Sequence, residues 1–504
     1  MRALLTMLAR LRAVGPAMFF VAALLVAAPA LAQVPERAPD EVLTGTITHD
    51  DHQRYLRVPF TLPEGSGRLV VAFDYEGRDQ KTVIDLGIED PNGFRGASGG
   101  NKASFTIAPS DATPSYLPGP LPPGEWALAL AVPNIRQGVT ATWTAKLWFL
   151  KGAEAEWLPS PTIGRGPGWY RGDLHLHSGH SDGSCDSMSG ARAPCPLYRT
   201  LEAAAERKLD FVAVTEHNSS SHAAALRELT PYFDRMLLIP AREITTFHGH
   251  FNVFGVTSPL DFRIAPGISN SFVSIVEQVH ELGGIVSINH PALPSGEICM
   301  GCGWTMPDVD LARVDAVEAV NGSAAASGGG AEGAVSGLPF WLAALEDGHR
   351  LTAIGSSDNH DPARTGPGAV GVPTTVVFAA DLSQPAIFQG IRDGRVFIDA
   401  TGEGRAHLDF TASAGGATAA MGGTIRLAAA SPLVIEAKVK APENATLELY
   451  DAGERIEAAS LALSQDVHVF EVPATAGRRW LWLALRNEAG ELLAMSNAVV
   501  VEVD

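Results

Sequence analysis

Asp173-Leu174-His175-Leu176-His177-Ser178, followed by Ser181-Asp182-Gly183, is the stretch on which the reading of this chain turns. Side chains two apart on a strand share a face, so His175 and His177 can offer both imidazoles to one metal ion. Asp182, on the loop that follows, is placed to reach the same cavity. Two histidines on an exposed strand would look the same in isolation, so the flanking sequence has to decide.

Working outward, other apolar runs stop in the same way. Val212-Ala213-Val214-Thr215 meets Glu216-His217-Asn218, and Ile239-Pro240-Ala241-Arg242 meets Glu243. Ile285 to Asn289 delivers His290-Pro291, and Ala353 to Ser357 delivers Asp358-Asn359-His360. Phe247-His248-Gly249-His250 supplies two more histidines, of which His250 directly opens the next apolar run. Charged groups gathered at strand ends cost several kcal/mol unless they are paired or bound to metal. The repetition therefore points to one cluster of metal ligands.

Between residues 169 and 401 short apolar strands alternate with amphipathic helical runs, the sequence form of βα units around a mostly parallel sheet. Helices are expected near residues 197–208, 272–282, 340–346 and 385–392. The fold class expected is α/β, with a barrel-like domain over 169–401. Residues 33–157 and 402–504 instead show short alternating runs separated by Gly and Pro, which predicts a β-sandwich on each side. A Pro- and Gly-rich linker covers residues 158–168.

The N-terminus carries Arg2, Arg10 and Arg12, an apolar run and then Pro29-Ala30-Leu31-Ala32, which reads as a signal peptide over residues 1–32. The expected localisation is periplasmic or secreted, with no stable membrane insertion once the leader is cut. Losing the three arginines takes the net charge from -19 to -22. Such an acidic chain lacks the basic footprint needed for a nucleic acid polymer. Cys185 with Cys195 and Cys299 with Cys302 fit two local disulfides in an oxidising compartment. The Cys299-Met300-Gly301-Cys302 spacing also fits a redox or zinc motif, and four thiolates also fit one zinc site.

The His175-Leu176-His177 pair, the Glu-His-Asn turn, Glu243, the Asn-His-Pro turn and the Asp-Asn-His turn, in that order, resemble the polymerase and histidinol phosphatase (PHP) superfamily of metal-dependent hydrolases. The flanking sandwiches and the leader make the chain look most like the carbaryl-hydrolase branch. The resemblance covers about residues 170–400 and implies a distorted (β/α)7 barrel with two or three divalent metal ions, zinc, manganese or iron. It implies that His175, His177, Glu243 and Asp358 hold one ion and that Glu243 bridges to a second held by His250 and His290. Asp182, His217 and His360 would hold a third. Glu216 departs from the Asp common among relatives, and Asp182 stands where some members have His.

Ions sharing Glu243 would lower the pKa of a bound water and yield a hydroxide able to attack an ester, amide or carbamate of a small molecule. Glu243 and Asp358 then serve catalysis as ligands, and His217 is the candidate proton donor. Ser178 lacks the glycine-flanked elbow of a serine nucleophile. Arg171, Arg242 and Arg364 are candidate phosphate contacts, Asn321 is a candidate substrate contact, and residues 322–337 form a candidate flexible cover. Trp304, Phe340 and Trp341 are the aromatic candidates for an apolar pocket. Two alternatives stand beside the leading reading: a phosphoesterase acting on nucleotides or sugar phosphates, and a non-catalytic metal-containing binding or scaffold protein. His49, His52, His280, His349, His407 and His468 fall outside the pattern, while His180 and His222 lie close to it.

Overall fold

The computed structural model describes residues 34–156, 163–297, 299–442, 444–460, 467–473 and 475–503. The leader expected at residues 1–32 and half of the expected linker lie outside the described residues. No helix among the described residues is long and apolar enough to cross a membrane.

The first sandwich forms from two four-stranded antiparallel sheets. One runs in the order Glu41–Ile47, Ala141–Leu150, Arg68–Tyr75, Ser104–Ile107, and the other Tyr55–Leu62, Gly124–Asn134, Val83–Asp90, Gly93–Ser98. Alternation sends Leu69, Val71 and Phe73 from one sheet, and Leu86, Leu128 and Leu130 from the other, into a shared core. Each such fully buried side chain contributes about 1.5–3 kcal/mol.

The sandwich docks on the central domain through buried charge. Asp111 accepts two hydrogen bonds of 2.7 Å from Arg68 on its own side and one of 2.5 Å from Arg227 of the central domain. Nearby, Glu156 accepts the backbone N–H groups of Thr257 and Ser258 at 2.6 and 3.1 Å.

The central sheet runs in the order Thr352–Ser356, Ala316–Asn321, Ile285–Ile288, His250–Phe254, Leu237–Thr245, Phe211–Val214, Gly168–Asp173, Thr374–Ala379, Val396–Asp399. Gly172 has to be glycine here, since a Cβ would sit 2.2 Å from the Phe211 ring. The sheet curls until its first strand meets Gly168–Asp173 and Thr374–Ala379: Leu176, just past the former, forms a parallel bridge with Asn359, and the Thr375 hydroxyl donates to Gly355 O at 2.6 Å while accepting its N–H at 3.0 Å.

The class is α/β with several sheets, strand-rich and short of helices. The regular strand–helix alternation of a (β/α)7 barrel is not shown. Leu237–Thr245 and His250–Phe254 form a hairpin, antiparallel from Ala241↔Phe254 to Thr245↔His250, because four intervening residues are too few for a crossover. Its turn uses Gly249 at φ +146, a left-handed conformation that favours glycine.

Helices cover the outer face where amphipathic runs were expected. Helix Phe272–Glu281 begins at a reciprocal cap between Ser271 and Ser274 and buries Phe272, Ile275, Val276 and Val279. Residues 322–337 are not wholly the flexible cover expected. They open with helix Gly322–Gly328, because the Asn321 side chain accepts the Ala324 N–H at 2.9 Å and Gly329 closes it at φ +91.

The second sandwich is not separate from the central domain. One of its sheets stands apart, in the order Ala417–Ala420, His407–Ala414, Leu433–Lys440, Val467–Val472. The opposing strands continue the central sheet, since Leu492–Ser496 pairs antiparallel with Val396–Asp399. Val376 and Phe397 accordingly share a core with Phe410, Ile435, Leu449 and Leu483. Trp341, expected near the pocket mouth, is fully buried instead, edge-on to Trp482 with ring centroids 5.9 Å apart.

Candidate metal centre

The backbone beyond strand Gly168–Asp173 sends Leu174 and Leu176 into apolar clusters and His175 and His177 to the opposite side. Asp173 fixes this segment against its neighbours by accepting N–H groups from His175 (3.2 Å), Ser357 (3.0 Å) and Gly371 (2.7 Å). Burial pushes its carboxyl up to about 6 against the pull of those hydrogen bonds. Asn218, His290 and Asp358 have φ of +51, +26 and +53. Left-handed backbone at three strand ends beside one cavity is the kind of local strain that collects at functional sites.

Glu243 stands at the centre. Its Oε1 lies 3.2 Å from His250 Nδ1, 3.3 Å from His290 Nε2 and 3.0 Å from Asn289 Nδ2. Its Oε2 lies 3.4 Å from His175 Nε2, 3.7 Å from His177 Nε2 and 2.8 Å from His217 Nδ1. Asp358 Oδ1 is 3.4 Å from both His175 and His177 Nε2. On the solvent side Asp182 Oδ1 lies 3.3 Å from His360 Nε2 and 3.6 Å from His217 Nε2.

Three groups of donors result: His175, His177 and Glu243; Glu243, His250 and His290; and His177, Asp182, His217 and His360. Asp358 adjoins the first, and all nine ligands named from the sequence come together. Glu243 is shared by two groups, and His177 by two.

His175 Nε2, His177 Nε2 and His250 Nε2 are buried without a hydrogen-bond partner among the described residues. Orphaned buried atoms of this kind cost about 1–3 kcal/mol each, which a cation accepting their lone pairs would offset. Imidazole and carboxylate donors at these separations suit divalent ions, so the clusters are fit to bind them.

The supporting residues include one the sequence reading missed. Glu318 is fully buried and accepts from His175 Nδ1 at 2.7 Å, turning Nε2 toward the cavity, and its other oxygen takes the His290 N–H at 2.9 Å. A lone carboxylate within the run Ala316-Val317-Glu318-Ala319-Val320 was the available signal. Glu216, also fully buried, gathers the N–H and hydroxyl of Ser178 and the hydroxyl of Ser181, holding the loop that carries Asp182. Its longer side chain is therefore used.

Charge is finely divided in this cavity. Burial disfavours a cation at His175, but Asp358, Glu318 and Glu243 outweigh it and hold the ring well above its usual value. Burial holds His177 down to about 4. At His217 burial is again overcome, by Glu243 and Asp182, which carry it up to about 10. Glu243 stays well below the usual carboxylate range despite its burial, held there by His175 and His217. The raised histidines and lowered carboxylates thus compensate one another, and divalent ions bound there would displace protons.

Not every candidate contact lies where expected. Arg242 points away from Glu243, its neighbour on the strand, and donates to the carbonyls of Val256 (2.9 Å) and Ser258 (2.8 Å). It is therefore no substrate contact, because adjacent strand residues face opposite ways. Arg171 donates to Gly402 O at 2.9 Å. Arg364 is exposed and packs over Gly368. Asn321 is nearly buried, donating to Glu318 at 2.9 Å and Asp358 at 3.3 Å, so it orients carboxylates instead of presenting a free amide.

His280 pairs with Asp315 at 2.9 Å, and His180 Nδ1 lies 2.9 Å from the Ser221 hydroxyl. His222 is 1% exposed, and burial pushes it down to about 3. Below its ordinary value of 6.5 the unfolded chain takes up a proton that the folded chain refuses, so stability falls as pH falls from 6.5 toward 3. His222→Phe is expected to remove about 2 kcal/mol of the loss between about pH 7.5 and about pH 5. Urea unfolding at both values checks this, and equal acid sensitivity in the two chains would exclude the ring as its source.

No family model matches the chain, and no curated protein matches it. Among solved structures, the crystal structure of an engineered protein aligns with 12% identity and a TM-score of 0.15, covering 58% of this chain and 49% of that one. The chain thus spans about half of that protein's length, and the likeness carries no argument about fold or function.

Proposed function

We propose that this chain is a metal-dependent hydrolase. The observation that carries the reading is Glu243, one buried carboxylate shared between two groups of histidines, with Asp358 beside the first. Divalent ions held there, zinc, manganese or iron, would supply an activated water and polarise a substrate oxygen.

Within that class we infer a PHP-type enzyme, closest in character to the carbaryl-hydrolase branch, with the curled sheet as a distorted form of the (β/α)7 barrel. Its ligand motifs occur in the family's order along the chain. Glu318 and Asn321 orient His175 and Asp358, and Glu216 holds the Asp182 loop. His217, 28% exposed and set between Glu243 and Asp182, is placed to pass a proton to a departing group.

The substrate we infer is a small molecule with an ester, amide or carbamate bond. Arg171 and Arg242 already bond to backbone carbonyls, which weakens the phosphoesterase alternative. Phe247 and Met300 are 78% and 75% exposed on loops flanking His248 to His250, offering apolar surface. Export to the periplasm or beyond agrees with the two disulfides.

The test is metal content by plasma mass spectrometry beside hydrolysis of a nitrophenyl acetate, a naphthyl carbamate and a nitrophenyl phosphate. Wild type is compared with the His175→Ala, Asp358→Ala double variant. Two or three ions per chain, lost together with ester or carbamate hydrolysis, are expected. Phosphate hydrolysis alone would select the phosphoesterase, and bound metal without any hydrolysis would favour a binding protein.

A further inference from the structure

The two disulfides lie in segments whose backbone bonds reach residues flanking different groups of candidate ligands. Cys185 and Cys195 join the short strands Ser184–Asp186 and Arg192–Pro194. Cys195 takes the Gly179 N–H on its carbonyl (2.6 Å) and donates its own N–H to Gly183 O (2.9 Å), bracketing the loop that carries Asp182. The contact is close enough that a Cβ on Gly179 would lie 2.9 Å from the Cys195 backbone. Ser184, beside the bridge, donates its N–H to His360 O at 2.8 Å. Asp182 and His360, both in the outer group, hang on this one hairpin.

Cys299–Cys302 closes a second short loop. A Cβ on Gly301 would fall 2.0 Å from Thr246 O, and the Trp304 ring covers Gly249, 2.5 Å from where a Cβ would stand. Thr305 donates its N–H and hydroxyl to His248 O at 2.7 and 3.2 Å, and Trp304 N–H donates to Pro291 O at 3.0 Å. The segment after the bridge thereby joins the turn before His250 to the residue after His290. Neither bridge touches the inner group: His175 is held by Asp173 and Glu318, and His177 donates its backbone N–H to Asn359 O at 2.9 Å.

We propose that each disulfide is the positioning element for one set of ligands beyond the His175–His177 pair: Cys185–Cys195 for Asp182 and His360 of the outer group, and Cys299–Cys302 for the buried His250 and His290. The inference rests on the metal reading above. Packing positions the inner group, since His175, His177 and Glu243 are at most 1% exposed. It cannot do the same for Asp182 and His360, which are 57% and 37% exposed. His290 is buried but lies on strained backbone at φ +26, which persists only when its flanks are held.

The full-length chain is stripped of metal and titrated with cobalt(II) alone, by absorption spectroscopy and calorimetry, with thermal unfolding recorded for each protein. The variants are Cys185→Ser with Cys195→Ser, and Cys299→Ser with Cys302→Ser. Each pair is expected to weaken a different step by roughly 10- to 100-fold and to leave the tightest step unchanged. Adding His250→Ala to the second pair, or Asp182→Ala to the first, is expected to weaken that step little further, whereas the crossed combinations remove both.

If either pair fails to fold, folded wild type is reduced with a water-soluble phosphine, which becomes the phosphine oxide by taking oxygen from water as two thiols form. The excess is removed before the same titration. Variants that fill like wild type, or that lose the same step or the tightest one, overturn the straps alone. A wild type that takes up no cobalt overturns the metal reading together with this inference.

Discussion

Glu243→Gln is expected to lower turnover by at least about a thousandfold, equivalent to about 4 kcal/mol of barrier. The replacement keeps shape and volume, so its effect isolates the charge. One oxygen faces His250 and His290, the other His175, His177 and His217, and a neutral amide offers only one acceptor oxygen to two groups. Both groups should lose affinity at once, whereas Asp182→Asn, at the exposed rim, should weaken only the outer one. Steady-state kinetics with metal analysis on the same samples decides the matter. A loss under about tenfold with full metal content would remove Glu243 from the centre of the chemistry.

The largest effect on stability is expected at a distance from the candidate metal centre. Asp111→Ala leaves Arg68, fully buried, and Arg227, nearly so, without their shared carboxylate, and removing one member of such a buried set costs about 3–5 kcal/mol. Burial works against the Asp111 carboxylate, yet the two arginines hold it below the ordinary range. Its contribution is therefore present above the unfolded value near 3.9 and is lost as pH falls through the lower folded value. Urea unfolding should show a lower midpoint, and separate transitions for sandwich and central domain where wild type has one. Replacing all three by Leu or Met of similar volume should recover much of the loss. A cost below about 1 kcal/mol would mean that the charges are not isolated from water.

Ligand positions were legible in the sequence because strand ends reveal themselves: an apolar run that stops on His, Glu or Asp is rare without a reason. His177, His217, Glu243, His290 and Asp358 emerged that way as candidate ligands, whereas Asp182 was read from a loop and His250 from the start of a run. The supporting shell was harder, since Glu318 sits mid-strand and a single acidic residue reads as an outward-facing alternate. Arg242 was misread although strand periodicity already turned it away from Glu243. The antiparallel hairpin at Thr245–His250 was also readable, because four residues cannot make a parallel crossover. What local pattern could not show is pairing between distant segments. Nothing near Val396 announces that its strand will lie beside Leu492–Ser496, and Trp341 resembles any aromatic on a helix until Trp482 arrives to cover it.

That distant pairing bears on how the chain is made. Val396–Asp399 has one neighbour in Thr374–Ala379, and its other edge stays open until about a hundred further residues have emerged. Asn497, from the same late segment, also bonds the backbone N–H and carbonyl of Ala353, at 2.7 and 2.9 Å. Synthesis therefore leaves a nearly complete central domain with an unguarded apolar strand, exposed to any chain that offers a matching one. Such long-range closure is slow. A holding chaperone would matter most in this interval, and release of the last strand would be the event that seals the molecule.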